Sequence, residues 1–414
     1  MAFGADLPRR LVPIIAGQAF GLACGVAGIH LTTALVPPDL LGPYSIFLTF
    51  APVGMWAVHA GVIKYTARHW ADAGHRPELL RQITRAGARK LPWLLLACAV
   101  GAWASGGTAW WLLLPLLFVT ATLLSIATLT QTALQAARDH WRDSAVLSAA
   151  AVTRSFLPPL LFSAAGGSAI ALYLGFGVHA VIFAAAGLWA LAGTLQATTG
   201  APRVPAAVPE VYEGPLFIGL AVTGWTLLSL GRWVTAWFFG PTETGYFALA
   251  SNLATLAPAV LATIFLMYVQ PVLFAARIES AEERLALARR VDRVALFHAT
   301  GALAGLVVLR LLLPWLVGSL IDARYAGIIE RVLPAGCFAL AITTGQFYHV
   351  MLLAGRREAG CGPAELSAAA VLVAGTVISA ALGMDWFLRW LLISPVVPWL
   401  VNRPLARRAL LASP

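Results

Sequence analysis

Long apolar segments alternate with short polar gaps along the whole chain. Most of the segments hold about 20 predominantly hydrophobic residues, which is the length a helix needs to cross the hydrocarbon core of a bilayer. The short alternating strands of an outer-membrane barrel would not produce runs of this length. The pattern predicts an all-α polytopic membrane protein with about twelve transmembrane helices, near residues 11–36, 41–67, 91–105, 109–136, 145–164, 169–195, 215–239, 245–274, 294–318, 328–353, 366–383 and 386–401.

Composition places the chain in the same class. Hydrophobic residues make up 60% of the 414 positions and charged residues 11%, with a mean hydropathy of +0.81. This leaves too little polar surface to cover a soluble protein. The four cysteines lack the spacing of a zinc site or of a disulfide framework, and we find no constellation of catalytic or metal-ligating residues. We therefore predict neither an enzyme nor a metal or cofactor site.

The basic residues test the number of helices. The predicted inner gaps hold 21 of the 28 Lys and Arg, whereas the outer gaps hold one, Arg324. A missed helix would exchange the two sides in every later gap, so the positive-inside rule supports an even number of spans and predicts that both termini are cytoplasmic. The net charge of +10 then follows from topology and does not require a nucleic-acid partner.

Proline interrupts the apolar pattern near the middle of the chain. Residues 201–214 contain three prolines and predict a cytoplasmic linker between two six-helix bundles. The predicted N-terminal bundle spans residues 1–200 and the C-terminal bundle spans 215–401, followed by a cytoplasmic tail, 402–414.

A short motif occurs at the first outer turn of each half. It is PPDLLGPYSIF in residues 37–47 and GPTETGYFALA in residues 240–250. Both copies combine a proline, an acidic residue, a glycine and a tyrosine. Their recurrence indicates an internal duplication, which is common in alternating-access transporters.

Together with an inner arginine beyond each turn, Arg68 and Arg277, this motif resembles the polysaccharide flippases of the multidrug/oligosaccharidyl-lipid/polysaccharide exporter superfamily. In that family two six-helix bundles face each other across a basic central cavity and move lipid-pyrophosphate-linked oligosaccharides from the inner to the outer leaflet. The resemblance implies a bacterial inner-membrane transporter whose partners are a lipid-linked glycan, membrane lipids and polysaccharide-assembly proteins.

Basic residues within the predicted spans are the candidates for binding such an anionic cargo. A charge at the bilayer centre costs on the order of 3 kcal/mol on insertion scales, so several of them should have a use. Guanidinium groups bind phosphate oxygens in bidentate fashion. The predicted cavity residues are Arg154, Arg232, Lys64, His59, Gln18, Asn252 and Gln346.

Each basic candidate also has a simpler interpretation. Arg154 and Arg232 can pair with helix-end carbonyls or with polar groups of a neighbouring helix, and Lys64 can snorkel to the membrane surface. Three further arginines lie near outer helix ends, where we expect snorkelling or capping: Arg310, Arg331 and Arg389.

Acidic residues bear on the choice between cargoes, since none of the 18 Asp and Glu falls deep in a predicted span. This absence favours an anionic cargo over the cationic cargoes of ion-coupled multidrug exporters of the same superfamily, although that alternative stays open. A twelve-helix permease lacks support because residues 68–77 do not contain its Gly-Asp-Arg-Gly-Arg type run. A polysaccharide polymerase or ligase would need a large outer loop, and no outer gap is much longer than about ten residues.

Overall fold

A computed structural model of the chain describes residues 7–70, 76–106, 110–195, 208, 215–275, 280–355, 357 and 360–412. Within these residues every regular element is a helix. The predicted linker, 201–214, lies outside the described residues except for Val208, as do Arg277 and the end of the chain beyond residue 412.

Two compact units make up the chain, Met1–Val222 and Thr223–Pro414. The helices of the first unit, in chain order, are α1 (Leu7–Leu35), α2 (Pro38–Phe50), α3 (Ala60–His69), α4 (Arg76–Arg89), α5 (Leu91–Gly106), α6 (Trp110–Ala136), α7 (His140–Ala164) and α8 (Ala169–Leu195). A long helix, α9 (Pro215–Ala275), runs from the first unit into the second, which continues with α10 (Ala281–Ser319), α11 (Ile328–Ala354), α12 (Cys361–Ala381), α13 (Met384–Ile393) and α14 (Arg403–Leu411).

In the part of the chain that the structure describes, ten helical segments are long and apolar enough to cross a membrane. One of them, Ile218–Leu266, has 49 residues, about twice what a crossing of a hydrocarbon core of about 30 Å requires. Gly240 interrupts it with φ 86° and ψ 179°, a conformation open essentially to glycine alone. Two legs of α9 therefore meet at Gly240, and the shorter apolar helix Leu91–Ser105 supplies a further span. The predicted all-α fold with about twelve spans, six in each unit, is confirmed.

The second predicted span is not one regular helix. After α2 the chain forms a π-helical turn, Gly54–Val58, and His59 leaves the helical region with φ −102° and ψ 6° before α3 begins. Pro52 precedes the turn and removes one backbone donor. The apolar part of this span accordingly ends at Val58. Helix α3 follows, and the side chain of Lys64 on this helix is exposed.

Small residues allow close contacts between helices of the first unit. In α1 a Cβ on Gly17 would lie 3.1 Å from Ser144 Cβ, and a Cβ on Gly28 would lie 2.6 Å from Ser155 Cβ. Both serines belong to α7, which also packs against α8, as does α6. The glycine spacing predicts a packing surface at Gly17, Gly21 and Gly25, but nothing lies within 4 Å of a Cβ on Gly25. Gly28 makes the close contact instead.

Helix α4 is amphipathic and was not predicted as an element. Its buried residues Leu79, Ile83 and Ala86 join a core cluster with Tyr65 and Trp70. Its other face is polar and exposed. The counterpart in the second unit is the first part of α10. A capping box begins this helix, because the Ser280 hydroxyl accepts from Glu283 N and the Glu283 carboxylate accepts from Ser280 N.

Candidate functional site

Arg154 lies in the middle of α7, ten residues before its end at Ala164, which corresponds to about 15 Å along the helix axis. Its side chain is exposed and is close enough to the rings of Tyr44 and His179 to interact with both electrostatically. Within the described residues it forms no hydrogen bond and no ion pair. A cation in this position is available to an external anion.

An aromatic cluster lies beside Arg154 in the first unit. Tyr173 packs against Tyr44 at 5.9 Å and against Phe47 at 4.9 Å between ring centroids. His179 packs against Phe176 at 5.1 Å and shares a hydrogen bond of 2.8 Å with the hydroxyl of Thr153, the neighbour of Arg154. The tyrosine of the first outer-turn motif therefore forms part of the wall next to the arginine. The sequence motif points to Tyr44, but nothing in the sequence pairs it with α8.

The other polar candidates of the first unit lie in different surroundings. His59 is buried, and its Nε2 lies 3.2 Å from the carbonyl oxygen of Gly87 in α4. Lys64 is exposed on α3 and Gln18 is exposed on α1. The structure thus ties His59 to the amphipathic helix, whereas Arg154, Lys64 and Gln18 remain accessible.

Arg232 joins the two legs of α9. Its Nε and Nη2 each donate to the hydroxyl of Ser251 at 3.4 Å, and Nη2 donates to Oδ1 of Asn252 at 2.5 Å. Gly231 allows the legs to approach, because a Cβ there would lie 2.4 Å from the ring of Phe247. Two predicted site residues, Arg232 and Asn252, are therefore in direct contact. Ser251 belongs to the same group, although sequence analysis did not identify it.

A cavity of about 30 Å³ adjoins this group, with room for about one water molecule. Residues of both α9 legs, including Arg232 and Ser251, line one side, and Ala335, Phe338 and Ile342 of α11 line the other. Gln346 lies one turn beyond Ile342 on α11 and is exposed. Among the polar residues that line the cavity, Ser251 accepts from the guanidinium of Arg232, and Thr255 donates to the backbone carbonyl of Ser251.

Carboxylates lie near the beginnings of the helices, in the polar turns that precede the apolar stretches. Asp143 is 7% exposed and accepts from Gln135 Nε2 at 3.2 Å. Asp292 accepts from Arg403 at 3.1 Å and also from Arg407. Asp143 lies in the first turn of α7, and Asp292 lies in the polar segment of α10 that precedes its apolar part. Glu365, four residues into α12, contacts His349 of α11.

Arg331 lies near an outer helix end, where the sequence predicted snorkelling or capping. It is buried, and its Nε and Nη2 donate to Oε2 of Glu243 at 2.8 and 2.5 Å. It also donates to the carbonyl of Gly327 and lies 5.4 Å from the ring centroid of Tyr246. Glu243 and Tyr246 belong to the second outer-turn motif. This motif therefore supplies a partner for a charge 88 residues away, a pairing that no local sequence pattern reveals.

Similarity to known proteins appears at the level of structure. A scan against protein-family models gives no match, and a search of curated proteins gives no significant match. A solved structure described as an inward-facing conformation of a multidrug resistance MATE family transporter of the MOP superfamily is similar over 97% of this chain and 96% of its own, with 14% identity and a TM-score of 0.56. A structure described as MATE in the straight conformation is similar over 97% of this chain and 95% of its own, with 16% identity and a TM-score of 0.55. A structure described as MATE in complex with MaD3S is similar over 97% of this chain and 93% of its own, with 14% identity and a TM-score of 0.55. The chain therefore shares the fold of these transporters.

Proposed function

We propose that the protein is a membrane transporter that flips a polyprenyl-pyrophosphate-linked oligosaccharide across a bacterial inner membrane by alternating access. Two lines of support combine. The fold is that of solved transporters, and the apolar helices carry arginines that suit an anionic group. The proposal depends above all on Arg154.

Arg154 has the properties expected of a pyrophosphate ligand. A cation held deep among apolar helices is costly unless an anion offsets its charge. Within the described residues Arg154 has no hydrogen-bonded or ion-paired partner, and its side chain is exposed. A pyrophosphate would accept two parallel hydrogen bonds from its guanidinium, while the polyprenyl tail remained in the bilayer.

Arg232 would serve the second unit in a different way. Ser251 and Asn252 accept from Arg232 through neutral oxygens and orient its guanidinium. Gln18, Lys64 and Gln346 are exposed and would supply further contacts to the pyrophosphate or sugar hydroxyls. His59 would act indirectly, by holding α4 against α3.

An ion-coupled multidrug exporter is the second candidate. Two observations favour it: a similar solved structure is described as a multidrug resistance transporter, and Asp143 is a buried carboxylate that accepts a hydrogen bond from the neutral side chain of Gln135. In the described structure, however, Asp292, Glu243 and Glu365 each contact a basic side chain. A cationic cargo would have to compete with these partners.

Deleting the gene tests the proposal in cells. We expect a lipid-linked oligosaccharide to accumulate in the cytoplasmic leaflet, because its synthesis continues while its export stops. Accumulation is measured by extracting the lipids and testing whether the glycan is accessible from the outside. No accumulation, together with raised sensitivity to cationic dyes, would support the multidrug exporter instead.

Variants of Arg154 test the site itself. We expect Arg154→Ala to lower flipping in reconstituted vesicles about tenfold or more, since a hydrogen bond to a charged group contributes about 1.5–3 kcal/mol. Arg154→Lys should retain part of the activity. Arg142→Ala is the matched control, because Arg142 lies on the same helix, is exposed and already pairs with Asp139. Normal transport by Arg154→Ala at normal abundance would refute the cavity assignment.

A further inference from the structure

Each unit contains a basic amphipathic segment directly before its third apolar helix. In the first unit this segment is α4, which precedes α5. In the second unit it is residues 281–293, the first part of α10. The proposed cargo site does not use either segment.

Arginines form a stripe on the outward face of α4. Arg81, Arg85 and Arg89 are all exposed and recur every fourth residue, which places them on one side of the helix. Arg81 contacts Glu78 at 3.4 Å, with both side chains largely exposed. Within the described residues Arg85 and Arg89 have no hydrogen-bond or ion-pair partner. The opposite face is occupied by the buried cluster, so α4 cannot turn its arginines inward.

The stripe ends at the boundary of the apolar surface. Trp93, four residues after Arg89, is 68% exposed, and Leu95 and Leu96 are exposed as well. Exposed apolar residues of a transmembrane helix face lipid, and exposed tryptophan is typical of the interface. Only four residues separate Arg89 from Trp93, across the junction between α4 and α5. The arginines therefore lie at the depth of the lipid headgroups.

The second unit repeats this arrangement. Arg289, Arg290 and Arg293 are exposed, and within the described residues none has an ion-pair partner. Asp292, the acidic residue in this run, pairs with Arg403 and Arg407 and so does not neutralise them. Leu296 and Phe297 follow at once and are 54% and 66% exposed. The change from arginine to lipid-facing residues again takes about one turn.

We propose that these two arginine stripes bind the headgroups of anionic phospholipids in the leaflet that contacts α4 and the start of α10. The occupant follows from charge and position. The stripes are cationic, they point outward from a buried helix face, and they adjoin lipid-facing side chains, which is the arrangement of an interfacial helix on an anionic membrane. A protein or nucleic-acid partner would not require the adjoining apolar surface.

The test measures lipid binding by the full-length protein without any transport. Purified protein in a neutral detergent is titrated with phosphatidylglycerol or phosphatidylcholine, and the bound lipid is counted by mass spectrometry of the intact complex. We expect phosphatidylglycerol to bind more tightly, with an affinity that falls as salt is raised. Changing Arg81, Arg85 and Arg89 together to Gln should weaken the affinity of the α4 site on the order of a hundredfold, since each basic residue near an anionic surface contributes roughly fivefold.

Matched variants separate charge from folding. The corresponding triple Lys variant keeps the charge and should bind within a few-fold of the wild type, and Arg85→Gln alone should lose about fivefold. Arg324→Gln, beyond the far end of α10, should have no effect. Equal binding of the two lipids, unchanged affinity in the triple Gln variant, loss of binding in the triple Lys variant, or displacement by equimolar inorganic phosphate would each overturn the proposal. None of these outcomes depends on the transported cargo.

Discussion

The ion pair between Arg331 and Glu243 stabilises the second unit at a position with little access to solvent. Only 11% of the Arg331 side chain and 29% of the Glu243 side chain are exposed. We expect Arg331→Leu to lower the free energy of unfolding by about 2–4 kcal/mol, because it leaves Glu243 with an unpaired charge. The measurement is thermal or denaturant-induced unfolding of the purified protein in one detergent.

Two controls distinguish this effect from a general loss of charge. Arg324→Leu removes an exposed pair with Asp322, and it should shift the unfolding midpoint far less because solvent screens this pair. The hydrogen bonds from Arg324 hold the pKa of Asp322 below its usual range, but both side chains remain in solvent. The double variant Glu243→Leu/Arg331→Leu should lose less unfolding free energy than the sum of the losses in the two single variants. Simple additivity of those losses would contradict a coupled pair.

Local sequence predicts which residues are unusual but not what they contact. Arg154 and Arg232 attract notice because charge is rare within apolar stretches, and the structure brings Arg232 to Asn252, another predicted residue. The ion pair of Arg331 was not predicted, because its partner comes from a turn 88 residues away. A side chain's distance from a helix end does not indicate whether a distant segment of chain covers it.

At the scale of helices, one glycine of α1 is expected to control its contact with α7. A Cβ on Gly28 would lie 2.6 Å from Ser155 Cβ, 3.0 Å from its carbonyl oxygen and 3.1 Å from its Cα. Two of these atoms are backbone, so a rotamer change cannot relieve the clash. We expect Gly28→Ala to destabilise the protein by about 1–3 kcal/mol, measured as the shift in its unfolding midpoint.

Gly25→Ala is the control for this prediction. The two glycines share one helix, but nothing lies within 4 Å of a Cβ on Gly25. Alanine there should be neutral or stabilising by up to about 1 kcal/mol, because glycine is the weaker helix former. Equal effects of the two substitutions would mean that the contact between α1 and α7 does not depend on Gly28.

Hydropathy predicts the apolar helices well because each one must satisfy its own backbone in lipid. It predicts their ends less well, since polar segments such as the first turn of α7 and residues 281–293 of α10 lower the local average. It missed α4 altogether, because an amphipathic helix that lies beside the core has no long apolar run. The break at Gly240 was predicted as a turn between two helices, and the structure forms it with a single non-helical residue.

At the scale of the molecule, the two units repeat an outer turn, an arginine stripe and six apolar helices. From twelve crossings we predict that Arg85 and Arg408 lie on one side of the membrane and Arg324 on the other, and the positive-inside rule predicts that the first side is cytoplasmic. All three side chains are exposed, so cysteines introduced at these positions can be labelled. The native cysteines Cys24, Cys98, Cys337 and Cys361 are all buried, which keeps the background low.

In intact cells, an impermeant thiol reagent should label Arg324→Cys but neither Arg85→Cys nor Arg408→Cys. Both of the latter should react once the membrane is opened. Seven crossings separate Arg85 from Arg324 in the twelve-helix arrangement, so labelling of both from one side would mean that one of these segments does not span. The short helix Leu91–Ser105 would then be the first candidate, because its 15 residues reach only about 22 Å. Labelling of Arg408→Cys in intact cells, with Arg85→Cys protected, would instead mean that a segment between Arg324 and Arg408 does not span the membrane.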